Sequence, residues 1–288
     1  MLSTLIQVIA GGLLLGAVYA LFSSGLTLIW GMMNVINFAH GDFVMLGMYV
    51  AFVVWTVMGG GPAAAVPIAA LALASLGIVC YFLLIRHIMR GPMLAQILGT
   101  FGLALLLRYS AFWYFGTSFR TLPETLVGGT LLIGPIRIES SRLLAGVVAL
   151  LVTAGLHLIV TRTALGSRML AVAEDATAAE LMGIRPDRMQ AIAWGLAAAA
   201  TGIAGALIAN FFYVAPSVGE TLAIVAFVTV SLGGFGSVPG ALAAGLLIGI
   251  IESVSAYAIG AIYKDIVVYA LFVLALWLRP VGLMGKAR

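Results

Sequence analysis

The sequence predicts an all-α integral membrane protein with about eight transmembrane helices, some of them broken or re-entrant. Two observations on composition favour this class: 63% of the 288 residues are hydrophobic and only 8% are charged, against roughly 45–50% and 25% in soluble domains. A third is the mean hydropathy of +1.20. A soluble fold of this size could not hide so much apolar surface from water, whereas a bilayer can. We expect one transmembrane domain over residues 1–288, because no long polar segment divides the chain.

Nine apolar runs are candidate spans, since about 20 apolar residues cross a bilayer as a helix. They cover residues 5–30, 36–58, 63–85, 94–115, 142–161, 189–213, 222–232, 240–260 and 264–280. The runs are too long and too uniformly apolar for barrel strands, so helices are predicted. The run 222–232 is too short to cross alone, and we interpret it as a half-helix. The first run has no basic segment before it and no clear cleavage site, so a retained helix is expected.

Basic residues between the runs predict orientation. They form three clusters: Arg86, His87 and Arg90; Arg162, Arg168, Arg185 and Arg188; and Arg279, Lys286 and Arg288. The excess of Lys and Arg in cytoplasmic loops predicts that all three clusters, and therefore the C-terminus, are cytoplasmic. The loop 116–141, with Arg120, Glu124, Arg137 and Glu139 in balance, is then outside. The side of the N-terminus stays open.

Two interruptions of the apolar runs predict a path for a solute. The first spans 34–42 and the second spans 233–240; their candidate path residues are Asn34, Asn37, Phe38, His40 and Gly41, and Gly233, Gly234 and Gly236. Buried amides in a membrane need partners or water, and paired glycine-rich breaks in two halves are typical of inverted repeats around a central path. Plain turns are the alternative for both segments, with Asn34 as a helix cap and His40 as a packing residue.

The longest polar stretch, about residues 162–188, predicts a short exposed helix. Asp175 can cap it, alanines favour it, and Gly183 followed by Pro186 ends it. An alanine-rich helix in the cytoplasm is costly unless a partner's groove covers it. The alternative, a helix lying on lipid, would need a strongly basic face that is absent here.

At this point the sequence shows a resemblance. The stretch Ile36–Gly41 and the stretch from Ala173-Glu174-Asp175 through Gly183-Ile184 to Asp187-Arg188 resemble the two signatures of branched-chain amino-acid ABC-transporter permeases. The segments 16–21 and 233–240 are similar to that family too, and the length suits the shorter of its two permeases. The resemblance implies the permease subunit of an importer of branched-chain or other small amino acids in the bacterial inner membrane. Permeases for urea or short amides remain an alternative.

The resemblance also implies partners. These are a second permease subunit, two cytoplasmic ATPase subunits and a periplasmic solute-binding protein, besides membrane lipid. It implies that the ATPase-coupling helix includes Glu174, Asp175, Ala178, Ala179, Leu181 and Gly183. Whether the chain pairs with itself or with a sister stays open.

Energy must come from another chain. No G-x-x-x-x-G-K-[ST] motif occurs, and the two lysines are Lys264 and Lys286, so ATP and Mg are expected in the partner ATPases and no cofactor in this chain.

A stand-alone ion-coupled carrier or channel is a second hypothesis, with Asp42 or Glu252 as its only candidate carboxylates. An intramembrane enzyme is disfavoured, since no H-E-x-x-H occurs and the three histidines are far apart, so no catalytic or metal residue is expected. Nucleic acid is not expected either, because the basic residues are dispersed.

A few residues inside the spans predict packing. Arg108 and Glu252 are candidates for an ion pair; a structural or interfacial role is favoured, and a substrate contact is the alternative. Two G-x-x-x-G pairs, Gly12 with Gly16 and Gly245 with Gly249, predict close helix contacts, within the chain rather than between subunits.

Overall fold

A computed structural model describes residues 2–122, 127–133, 136–279 and 282–285. Its helices are α1 (Leu2–Met33), α2 (His40–Met58), α3 (Pro62–Cys80), α4 (Arg86–Ile88), α5 (Met93–Phe115), α6 (Ser140–Arg162), α7 (Ala164–Glu174), α8 (Ala176–Leu181), α9 (Pro186–Ile208), α10 (Val218–Gly233), α11 (Val238–Ile259) and α12 (Lys264–Leu278). A π-helical turn, Tyr81–Ile85, joins α3 to α4. Strands β1 (Thr130–Ile133) and β2 (Ile136–Glu139) form an antiparallel hairpin. Glu124, Lys286 and Arg288 of the orientation argument lie outside the described residues.

The predicted membrane class is confirmed. Seven described helices are long and apolar enough to cross a bilayer: Ser3–Met33, His40–Met58, Pro62–Ile88, Met93–Phe115, Ser140–Arg162, Pro186–Ile208 and Val238–Ile259. The short run 222–232 becomes α10, whose 16 residues extend about 24 Å, less than the roughly 30 Å of a hydrocarbon core.

Two predicted spans are shorter in the structure. The run 264–280 forms α12, which has 15 residues and a length of about 22 Å. The run 189–213 ends as a helix at Ile208. There the side-chain amide of Asn210 donates to the carbonyl of Ala206, 2.7 Å away, which closes the last turn of α9.

Helices α1 and α11 pack antiparallel through the predicted glycine pairs. A Cβ on Gly12 would lie 2.6 Å from the carbonyl oxygen of Gly249, and a Cβ on Gly16 would lie 2.6 Å from that of Gly245. Only glycine therefore permits this approach of two backbones. The contact lies within one chain, as predicted.

Helix α9 occupies the middle of the bundle. Trp194 is buried on it and its ring meets Phe43 of α2 at 6.4 Å. Its alanines and glycines let neighbouring helices come close; a Cβ on Gly202 would lie 2.5 Å from the carbonyl of Ala69 on α3. Small residues on facing helices thus bring the backbones close together around larger buried side chains such as Trp194, which suits a bundle in lipid.

The two ends of the bundle differ. At the end where α1 finishes, a cluster of buried residues joins α1, α6, α7, α8 and α9; it contains Leu28, Met32, Leu156, Met169, Val172, Ala179, Met189 and Ala193. We call this the α8 end. The backbone N–H groups of Leu283 and Met284 donate there to the last carbonyls of α10, at 2.8 and 3.0 Å. The opposite end, where α1 begins and β2 contacts it, is called the hairpin end.

Candidate functional site

The first predicted interruption is a break between α1 and α2. Asn34 adopts a left-handed backbone with φ 53°, and its N–H donates to the carbonyl of Trp30 at 2.8 Å. Asparagine tolerates this conformation better than most side chains and so ends α1 in the way a C-terminal glycine would. Residues 35–39 are irregular before α2 begins at His40. The Asn34 cap considered from the sequence is therefore present.

Buried polar side chains hold this break in shape. Asn37 accepts from the N–H of Ala39 at 3.1 Å. The Nε2 atom of His40 lies 2.7 Å from the carbonyl oxygen of Phe22. Each of these two side chains is 1% exposed, so both face protein and their partner is backbone. His40 thus has the packing contact that was one of its two predicted roles.

The same segment lies against α10. The ring of Phe38 contacts two others, that of Phe227 on α10, with centroids 5.1 Å apart, and that of Phe101 on α5, with centroids 6.4 Å apart. Gly41 leaves no room for a Cβ against Gly219 and Ala223 at the start of α10. The break therefore brings α2, α5 and α10 together.

An ion-pair chain crosses this junction. Arg108 of α5 donates from Nε to Asp42 at 3.0 Å and from a terminal nitrogen to Glu220 of α10 at 2.8 Å. The predicted pair of Arg108 with Glu252 is wrong, since Glu252 accepts from Lys264 of α12 instead. The partners lie 66 and 112 residues from Arg108 in sequence, and no local spacing indicates them.

The second interruption lies at the other end of α10. Gly234 and Gly236 have φ values of 99° and 80°, which L side chains rarely adopt. The N–H of Gly236 donates to the hydroxyl of Thr27 at 3.2 Å, and the Phe235 ring lies 4.6 Å from that of Trp30. Both interruptions therefore border helix α10, the first at its beginning and the second, with Gly233, at its end. The inverted-repeat interpretation stays a prediction.

The stretch 162–188 forms two helices that meet at Asp175. Its carboxylate accepts from the N–H groups of Thr177 and Ala178, at 2.9 and 3.0 Å, which confirms the predicted cap. Gly183 has φ 81° and follows the last turn of α8. Glu174, predicted in the same short helix, is the last residue of α7 instead, because the extended backbone of Asp175 separates the two.

The two faces of α8 differ in exposure. Ala179 is 4% exposed and packs into the cluster at the α8 end. Leu181 and Met182 are 85% and 82% exposed, and Ala178 is exposed too. The helix is therefore anchored on one side and presents apolar side chains on the other. Among the described residues, no three His, Cys, Asp or Glu side chains are grouped to hold a metal ion.

Comparison with known proteins identifies the family. The model described as "Branched-chain amino acid transport system / permease component" matches residues 8–276. The chain belongs to this family. The family resemblance predicted from the sequence is thus confirmed.

Relatives within this permease family extend over nearly the whole chain. The high-affinity branched-chain amino acid transport system permease protein BraD of Pseudomonas aeruginosa is 32% identical, covering 98% of this chain and 96% of that protein. The permease protein LivH of Escherichia coli K12 is 30% identical, with the same coverage. A probable LivH of Methanocaldococcus jannaschii is 25% identical, over 97% and 92%.

One solved structure shares the fold of this family member. PsaBC from Streptococcus pneumoniae in complex with Fab matches with a TM-score of 0.50 and 10% identity, over 97% of each chain. At this identity the match concerns the fold alone. It agrees with a multi-pass membrane protein that has several apolar helices.

Proposed function

We propose that the chain is the permease subunit of an ATP-binding-cassette importer for branched-chain or other small amino acids in the bacterial inner membrane. Family membership supports this proposal, and one feature of the chain carries it: α8 is capped, anchored through Ala179, and exposes Leu181 and Met182. Exposed apolar side chains at the tip of an ordered helix fit a groove on a partner protein. In this assignment α8 with Asp175, Ala178 and Gly183 docks onto an ATPase.

The proposed assembly contains a second permease subunit, two cytoplasmic ATPases and a periplasmic solute-binding protein. ATP and Mg belong to the ATPases, since the sequence has no phosphate-binding loop. The α8 end and the C-terminus face the cytoplasm, and the hairpin end, with the start of α1, faces outward. The arginines of the α8 end support this orientation.

In the proposed mechanism, ATP binding shifts the population between two arrangements of the bundle. The ATPases bind ATP more tightly in one arrangement, and α8 transmits their movement. Met32 of α1 shares a packed cluster with Ala179, and Thr27 of α1 holds the loop after α10. Movement of α8 therefore reaches both interruptions, where Phe38 and the loop 233–240 border the solute path.

An ion-coupled carrier has less support. Its two candidate carboxylates, Asp42 and Glu252, already face Arg108 and Lys264. A coupling ion would have to compete with these side-chain cations at both places.

The test is a charge placed on the exposed face of α8. In Ala178→Arg the buried face of the helix stays intact while a charge enters the proposed groove. We expect co-purification of the ATPase and amino-acid transport in vesicles to fall by roughly tenfold or more, the equivalent of about 1.4 kcal/mol of binding. Ala63→Arg, an exposed alanine at the start of α3, is the matched control and retains both. Undiminished ATPase association and transport in Ala178→Arg would overturn the proposal.

A further inference from the structure

A large cavity opens at the hairpin end of the bundle. It has a volume of about 840 Å³. It is bordered by α1, the β1–β2 hairpin, α6, α10, α11, α12 and the end of α9 with the connection to α10. Pockets for small molecules commonly measure roughly 300–1,000 Å³. It is separate from the docking face of α8, which lies at the other end.

The walls of the cavity combine aliphatic surface with charges of both signs. The aliphatic part includes Leu15, Leu222 and Val225. The charged side chains are Arg137, Arg142, Lys264, Glu139, Glu252 and Asp265. Three cations and three anions give no net charge, so the cavity suits neither a simple anion nor a simple cation. A molecule that carries one of each, beside an apolar group, complements it best.

Four of these six charges are already paired. Lys264 donates to Glu252, and Arg142 lies 3.3 Å from Glu139. Arg137 and Asp265 form no ion pair with another residue that the structure describes. One cation and one anion in the wall are thus available to a ligand.

We propose that this cavity binds an aliphatic α-amino acid as its zwitterion. Arg137 supplies the charge for the carboxylate, Asp265 supplies the charge for the ammonium group, and the aliphatic wall receives the side chain. This inference rests on the proposed function, in which the hairpin end faces outward, and it adds a substrate site within this subunit ahead of the interrupted helices. A phospholipid headgroup also carries both charges, but it brings two long acyl chains.

Gly11 provides a way to fill the cavity without disturbing the helices. It borders the cavity, and a Cβ on it would meet no atom within 4 Å, in contrast to Gly12 on the packed face. Gly11→Phe therefore places a ring in the cavity. Gly102 of α5 also has open space around its Cβ position and is exposed, so Gly102→Phe is the matched control on the outer surface.

The experiment measures binding of radiolabelled leucine to the full-length chain in lipid nanodiscs, without binding protein or ATP. We expect saturable binding by the wild type and by Gly102→Phe, and an affinity lowered roughly tenfold or more in Gly11→Phe. Arg137→Gln and Asp265→Asn, which remove no ion pair among the described residues, lower it as well. These two variants keep the inference testable should the phenylalanine variant fail to fold.

Three results would overturn it: no saturable binding by the wild type, wild-type affinity in Gly11→Phe, or wild-type affinity in both charge variants. A phospholipid retained by the wild type and lost from Gly11→Phe, without leucine binding, would assign the cavity to lipid instead. Leucine transport by the complete assembly is measured in parallel. If the assembly transports leucine but this chain alone does not bind it, only the cavity site is rejected. If this chain binds leucine but Ala178→Arg keeps full ATPase association and transport, only the coupling proposal is rejected.

Discussion

Asp42 combines a charge with complete burial. Its side chain has no exposed surface, and the Arg108 side chain that faces it is 16% exposed. Taking two charges out of water is costly, and their mutual attraction offsets this only while both are present. Glu220, the second partner of Arg108, is 67% exposed, so water and dissolved ions screen its contribution.

Because the two carboxylate partners of Arg108 differ in burial, we predict that replacing them changes the free energy of unfolding by different amounts. Asp42→Asn keeps the shape but leaves Arg108 without its buried partner, and we expect a loss of roughly 3 kcal/mol in the free energy of unfolding. Glu220→Gln should cost less than about 1 kcal/mol. Denaturant titration of the purified protein in detergent measures both.

Arg108→Met in the Asp42→Asn background provides the control, because it removes the charge that has lost its buried partner and should recover part of the loss. Equal losses from Asp42→Asn and Glu220→Gln would contradict the assignment of the buried carboxylate as the main partner.

The sequence predicted side-chain contacts between near neighbours in the chain but not those between distant residues. The Asp175 cap follows from neighbours two and three residues away, so it was predictable. The partners of Arg108 and Glu252 were not, because they lie on other helices and packing decides which charges meet. The same holds for the cavity, whose charged wall combines residues from the hairpin, α6, α11 and α12.

Among the helices, the α1–α11 pair shows how a glycine motif determines a contact. Gly249 has no room for a Cβ against Gly12 and Gly16, whereas a Cβ on Gly155 of α6 would meet no atom within 4 Å. Alanine has a higher helix propensity than glycine by about 1 kcal/mol. The two positions should therefore respond to the same substitution with opposite sign.

We predict that Gly249→Ala lowers the thermal unfolding midpoint, since separating two packed backbones costs roughly 1–3 kcal/mol. Gly155→Ala should leave the midpoint unchanged or raise it. Circular dichroism melts of the purified protein in one detergent compare the two. A Gly249→Ala variant as stable as the wild type would show that the helices can separate freely, contrary to the close contact described above.

Element boundaries were less predictable than element existence. The half-helix interpretation of 222–232 anticipated α10, because a glycine-rich segment directly follows it. The start of α8 at its Asp175 cap was predicted, but helix α7, which ends at Glu174 directly before that cap, was not. Glu174 was placed in the short helix, whereas the extended backbone at Asp175 leaves it on α7.

Over the whole molecule, arginines divide between the two ends. Arg86 of α4 pairs with Asp187 at the start of α9, 2.9 Å away, so two of the clusters separated in sequence meet at the α8 end. At the hairpin end the charges are mixed, as the cavity wall illustrates. The orientation was predicted from this uneven distribution of basic residues, and the fold brings the described members of those clusters to one end.

The orientation makes a prediction that needs no assumption about the solute. In a Cys80→Ala background, which removes the chain's single cysteine, Thr177→Cys places a thiol at the exposed start of α8. Ser118→Cys places one in the exposed connection after α5, at the hairpin end. We expect a membrane-impermeant maleimide to label Ser118→Cys in intact spheroplasts and Thr177→Cys only in inside-out vesicles, because arginine-rich ends stay in the cytoplasm.

Detergent-solubilised protein, in which both thiols should react, controls for accessibility. The reverse pattern would place α8 outside the cell, where no ATPase could reach it, and would refute the coupling role and the outward-facing cavity together.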